Sequence, residues 1–116
     1  MDTVMTCYLV ELYSPNAVWK ALPREQRIRF LNRVAEGVAK LPSGEVEVLA
    51  LTDTDGTIDS AAAHRFMGIW RFPEPATRDI LLSAIRASGW YEYFEHVNAS
   101  GQVGGFSNHL DALADV

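Results

Sequence analysis

Two side chains in the stretch GWYEYFEHVN, residues 89–98, are the pair in this 116-residue chain best suited to proton chemistry: Tyr93 and His96. Imidazole titrates near neutrality and a phenol can donate to a developing oxyanion, so a Tyr/His pair over an apolar pocket can polarise a carbonyl and move a proton. Read as helix, residues 90–97 put Trp90, Tyr93, Phe94 and Val97 on one face and turn Tyr91, Glu92 and Glu95 elsewhere, with His96 within reach of the Tyr93 hydroxyl. On that reading His96 is the general base and Tyr93 the proton donor. The competing reading is structural, because an aromatic stripe at helical spacing usually packs a core and a histidine near a helix end is usually a cap. The stretch therefore reads first as a core plug and second as a pocket wall.

Other residues are candidates for the walls of such a pocket. His64 shares strand parity with Phe66, Gly68, Trp70 and Phe72, and Gly68 leaves a hole that either a ligand edge or a helix can fill. Tyr8 and Trp70 are large aromatics with polar tips that need partners when buried. The candidate ligand-binding set is Tyr8, His64, Phe66, Trp70 and Trp90; His109, in the tail, has no assigned role. No metal site is expected, since the three histidines lack i,i+4 pairing and no carboxylate stands at ligand spacing, and no cofactor is expected either. DTDGTIDS lacks the length and final Glu of a calcium loop and reads as a hairpin loop around Asp55-Gly56. Neither a Gly-rich phosphate loop nor a nucleophile elbow is present.

The lone Cys7 excludes an internal disulfide framework and a multi-cysteine zinc site, and its apolar setting makes it a small buried hydrophobe. Fifteen acids against ten Lys and Arg give a net charge of −5, which repels a phosphate backbone; nucleic acid is not an expected partner. The imbalance is local, with +4 over residues 20–40 and −5 over residues 41–63, as a solvated helix beside an acidic hairpin would show. Asp2 and Glu11 argue against a signal peptide, and nothing approaches the ~18 apolar residues of a membrane span, so a cytoplasmic location without membrane contact is expected.

The elements that must position these residues follow from periodicity. Residues 4–13 read as a first strand and AVWKAL as a short turn anchored by Trp19. LPREQRIRFLNRVAEGVAKLPSG reads as an amphipathic helix with Ile28, Leu31, Val34, Ala35, Val38 and Leu41 at three- and four-residue steps, stopped at Pro42-Ser43-Gly44. Residues 45–52 and 64–72 are strands, and Ala76 to Ala87 is a helix with Ile80, Leu81, Ala84 and Ile85 as its stripe. Gly89 ends or bends that helix, WYEYFEHV continues it, residues 101–108 form a last strand, and LDALADV is a tail. The order β-α-β-β-α-β predicts an α+β, ferredoxin-like fold in one domain, residues 1–116, with a four-stranded antiparallel sheet and two helices on one face.

Strands covered on one face should alternate, yet here both parities are apolar. Met5, Cys7 and Leu9 stand against Val4, Tyr8, Val10 and Leu12; Val46, Val48 and Ala50 against Leu49 and Leu51; Phe66, Trp70 and Phe72 against Met67 and Ile69. Two helices shield one face, so the other predicts a homodimer formed by sheet-to-sheet packing. This order, the two-sided strands and two patches, WKALPREQRIRFL (19–31) and GWYEYFEHVN, resemble the dimeric α+β barrel superfamily, and in particular uncharacterised bacterial members including the darcynin-like proteins. The likeness runs from about Tyr8 to Phe106. Relatives there include antibiotic-biosynthesis monooxygenases, haem-degrading enzymes, muconolactone isomerases, polyketide cyclases and proteins without known activity, so the fold alone selects no chemistry. The resemblance implies a pocket between sheet and helices in each subunit, lined by aromatic and histidine side chains. The expected function is binding of a small aromatic or polyketide-like molecule, as a cofactor-independent monooxygenase, isomerase or cyclase; the alternative is a non-catalytic ligand-binding or assembly module.

Overall fold

The computed structural model describes residues 6–41 and 44–116. The expected strand residues Val4 and Met5 and the helix stop at Pro42-Ser43 lie outside them. In chain order the elements are β1 (Cys7–Pro15), α1 (Ala17–Ala21), α2 (Arg24–Ala39), β2 (Glu47–Asp53), β3 (Phe66–Phe72), α3 (Pro75–Ala87), a 3-10 turn (Trp90–Glu92), β4 (Phe94–Gln102) and α4 (Phe106–Ala114).

Local chemistry sets several of these boundaries. Asn16 caps α1, its side-chain oxygen accepting from the Trp19 amide at 3.0 Å while its Nδ2 donates to the Glu92 carbonyl at 2.8 Å. One residue thereby starts a helix and ties it to the turn before β4. Pro23 immediately precedes α2 and Pro75 opens α3, where a missing N–H costs nothing. Gly89 adopts φ +85°, the left-handed conformation that terminates α3.

The sheet order is β2-β3-β1-β4 with every neighbouring pair antiparallel, the ferredoxin-like α+β arrangement. Cys7, Leu9, Trp70 and Phe72 point to the helix side and join Leu81 of α3 in one buried cluster. Trp19, Phe30 and Phe94 form a second, with Tyr13, Trp90 and Tyr93 packed against it.

Two sequence expectations need correction. Residues 94–102, not 101–108, form the last strand, so GWYEYFEHVN is a turn followed by a strand and not a helix. Gly89 breaks the helical run, and beyond it Phe94, His96 and Asn98 alternate with Glu95 and Val97 in register with β1, whose free edge needs a partner. The expected tail, LDALADV, instead gives its first five residues, 110–114, to α4. In β2 a bulge between Val48 and Ala50 reverses the parity, so Val48 and Leu51 both face the helices and Ala50 faces away.

The smallest extent of the molecule, 20 Å, is the thickness of two layers. Tyr8, Val10, Leu12, Met67, Ile69 and Val97 lie on the sheet face opposite the helices, and among the described residues no element is laid across them. Among the described residues no helix is long and apolar enough to cross a membrane.

Candidate functional site

Antiparallel register sets the site out in rows across the helix-facing side of the sheet. One row reads Asp53, Phe66, Tyr13, His96; the next reads Leu51, Gly68, Glu11, Asn98; the third carries Val48, Trp70 and Leu9. Over these rows α2 stands off from the sheet, anchored by Phe30, its one buried residue. The gap is a pocket of about 400 Å3. Its walls are Val34, Val38, Val48, Leu51, Leu81, Ile85, Tyr13, Trp70 and Trp90, and its polar groups are Glu11 and His96. That size and balance, apolar walls with a few convergent polar atoms, suit a small organic ligand.

Glu11 is the unexpected member. It sits on the central strand with the parity of Cys7 and Leu9, and its side chain and that of His96 are each only 5% exposed. Glu11 Oε1 accepts a hydrogen bond from Trp70 Nε1 at 2.6 Å, and Oε2 lies 3.4 Å from His96 Nε2. Gly68 makes the arrangement possible: a Cβ there would come within 3.0 Å of Leu51 Cδ2 and 3.3 Å of both Glu11 Oε1 and Trp70 Nε1. The hole at Gly68 is filled by a carboxylate and an indole, neither the ligand edge nor the helix that strand parity alone suggests.

Burial raises the Glu11 pKa, against a smaller lowering by the Trp70 hydrogen bond. Burial lowers that of His96, with the nearby Asn98 side chain opposing and His64 reinforcing. The 3.4 Å spacing is that of an ion pair, but both shifts favour the uncharged forms. In an apolar pocket burial disfavours the charge on both groups. Tyr13 stacks on the imidazole (5.1 Å, 5° between planes) and Tyr91 meets its edge at 5.2 Å, which holds the ring orientation. Among the described residues, the buried side-chain atoms His96 Nδ1, His96 Nε2 and Trp90 Nε1 find no hydrogen-bond partner. Such groups are costly unless something else satisfies them.

Of the residues singled out from sequence, His96, Trp70 and Trp90 meet at this pocket. Tyr93 does not join them; it packs against Trp19 and Phe30 at 5.4 and 4.9 Å, because the strand geometry removes the helical spacing that would carry it to His96. Phe66 stacks on the far side of Tyr13 at 5.7 Å and supports the row without lining the pocket. His64 precedes β3, its carbonyl accepting from the Thr54 hydroxyl. Tyr8 lies on the opposite sheet face beside Arg71. Tyr13 and Glu11 are the two residues that sequence reasoning missed. Two depressions of about 430 and 560 Å3 lie along α3 and β4, sharing Arg86, Tyr91 and Asn98, and His96 lines the first of them as well as the pocket. Among the described residues no cluster of three His, Cys, Asp or Glu is placed to hold a metal ion.

The model of a family of unknown function, DUF6616, matches residues 6–116. The chain belongs to that family. The solved structures similar to this DUF6616 chain include chlorite dismutase from Candidatus Nitrospira defluvii in complex with imidazole, at 17% identity and TM-score 0.69 over 90% of this chain and 42% of that one. A double mutant of the same enzyme matches at 17% identity and TM-score 0.68 with the same coverage. A putative chlorite dismutase, TA0507, matches at 14% identity and TM-score 0.65, over 90% of this chain and 47% of that one. At such identities the likeness is one of fold, the ferredoxin-like α+β barrel. The DUF6616 chain spans less than half the length of these three chains. No functionally curated protein matches it.

Proposed function

We propose that this DUF6616 protein binds a small, mostly apolar ring compound, aromatic or polyketide-like, in the pocket beneath α2 and moves a proton on it without a cofactor. The observation that carries this reading is the Glu11–His96 pair, 3.4 Å apart and 95% buried, at the floor of an otherwise apolar pocket. With burial raising the Glu11 pKa and lowering that of His96, the imidazole can take a proton from carbon and the carboxyl can return one elsewhere on the ligand. Trp70 Nε1 is committed to Glu11, whereas the unpartnered Trp90 Nε1 is free to donate to a ligand carbonyl or phenolic oxygen and so to stabilise an enolate. His96 and Glu11 are the acid–base pair, Trp90 the oxygen-binding donor, and Tyr13 the platform that orients the imidazole. Isomerase, cyclase and cofactor-independent monooxygenase reactions share this proton step. Tyr93, in the aromatic cluster, is left with packing.

The protein acts as a cytoplasmic homodimer joined through the open sheet faces, where Val10, Leu12, Ile69 and Val97 call for cover. The matched chlorite dismutase chains are about twice as long as this one, a size that two copies would equal.

The proton step is tested with 2-tetralone, an enolisable ketone fused to a benzene ring, by following solvent deuterium exchange at its benzylic α-carbon. Wild-type protein should accelerate exchange, and Glu11→Gln should lose at least ~100-fold of that acceleration. Exchange no faster than in buffer, with saturable quenching of the tryptophans by the ketone, would make the pocket a binding site without turnover. Absence of both would remove the ligand proposal.

A further inference from the structure

The first of the two depressions along α3 and β4, about 430 Å3, is lined mainly by polar side chains where the pocket beneath α2 is apolar. Its parts come from three segments. β4 is an edge strand, and alternation puts Phe94, His96 and Asn98 on its helix-facing side. Arg86 stands in the last turn of α3, and Gly89, at φ +85°, turns the chain so that Tyr91 returns against it. The guanidinium carbon lies 5.2 Å from the centre of the Tyr91 ring, which in turn meets His96 at 5.2 Å. A basic residue at a helix C-terminus is ordinary, since it complements the helix dipole, but this one lacks the company the others have. Arg65, Arg71 and Arg78 each pair with a carboxylate, whereas among the described residues Arg86 pairs with none. His96, the wall that the depression shares with the pocket, has a side chain only 5% exposed, and neither ring nitrogen finds a partner among the described residues.

We propose that this depression is a binding site for a small aromatic carboxylate, with the acid group in the fork of Arg86, the ring against Tyr91 and Phe94, and the Asn98 amide as a further donor. The site is distinct from the pocket beneath α2 and does not depend on the proton step proposed there. Three features select the ligand class. Stacking on Tyr91 occupies the face of the guanidinium and leaves the N–H groups along its edge, a fork that matches the two oxygens of a carboxylate. One cation suits one negative charge: the net charge of −5, and Asp79 in the adjoining depression, paired with Arg78 at 2.9 Å, weigh against a dianion such as phosphate. The two aromatic walls favour a flat apolar body over a bare acid. An exposed ion pair contributes little by itself, so the ring contact is needed for measurable affinity. His96 stands against any occupant and serves as its reporter.

Titration of the full chain with benzoate, followed by the imidazole proton resonances in NMR, tests this. The His96 resonance, identified by its loss in His96→Asn, should shift saturably with a Kd of about 1 mM. Benzamide, the neutral isostere, and inorganic phosphate should each bind at least ~10-fold more weakly. Arg86→Gln should weaken benzoate at least ~10-fold and Asn98→Ala about threefold, both at exposed positions and with unchanged circular dichroism. A shift undiminished in Arg86→Gln would put the acid elsewhere, such as the pocket beneath α2, and overturn the site. Benzamide binding as tightly as benzoate overturns the anion requirement, phosphate binding as tightly overturns the aromatic one, and the lack of any saturable shift overturns the proposal outright. Exchange of 2-tetralone, which carries no acid group, stands or falls independently of each of these results.

Discussion

Glu11 and His96 are both held away from their ordinary protonation behaviour, and the signs of the two shifts predict opposite limbs of a stability profile. The folded Glu11 pKa lies above its ordinary 4.5, so its contribution is intact below that value and is lost as pH rises through the raised folded value. The folded His96 pKa lies below its ordinary 6.5, so its contribution is intact above 6.5 and is lost as pH falls through the lowered value. Glu11→Gln, which keeps an acceptor for Trp70, should therefore abolish the upper limb. Melting temperatures taken from pH 4 to 9 should show the variant gaining on wild type as pH increases above about 4.5. A difference independent of pH would mean that Glu11 is not desolvated. At this scale the site was half legible. His96, Trp70 and Trp90 stand out by type, but Glu11 reads simply as an interruption of an apolar run, and only its parity with Cys7 and Leu9 marks it as inward-facing. Its partner, the gap above Gly68, belongs to a different strand and is invisible until register is known.

Among the elements, β1, α2, β2, β3 and α3 follow from periodicity, Pro and Gly, because each carries its own pattern. The segment after Gly89 does not. WYEYFEHV supports a helical stripe and, from Phe94 onward, an equally good alternation; the choice is made by the unpaired edge of β1, a tertiary demand that local sequence does not state. The same substitution of strand for helix separates Tyr93 from His96 and brings Tyr13 to the imidazole. Strand packing at the centre of the sheet is tight enough to test. Gly68→Ala drives a methyl group into Leu51, Glu11 and Trp70, and should cost ~1–3 kcal/mol in urea unfolding. A cost below ~0.5 kcal/mol would mean that the bulged β2 edge yields easily.

For the whole molecule, two apolar parities in the strands announce a second covered face, and the structure leaves Val10, Leu12, Ile69 and Val97 on it without a covering element of the described chain. Equilibrium sedimentation at micromolar concentration should give a mass near 26 kDa, twice that of the 12.9 kDa chain; a species of about 13 kDa would refute the pairing. One consequence of the register reaches into biosynthesis. Glu11 lies on the first strand and His96 on the last, and the two meet only when β4 closes against β1. A nascent chain still on the ribosome therefore lacks the Glu11–His96 contact until β4 has emerged, and the contact arrives in a single step with the closing of β4 on β1.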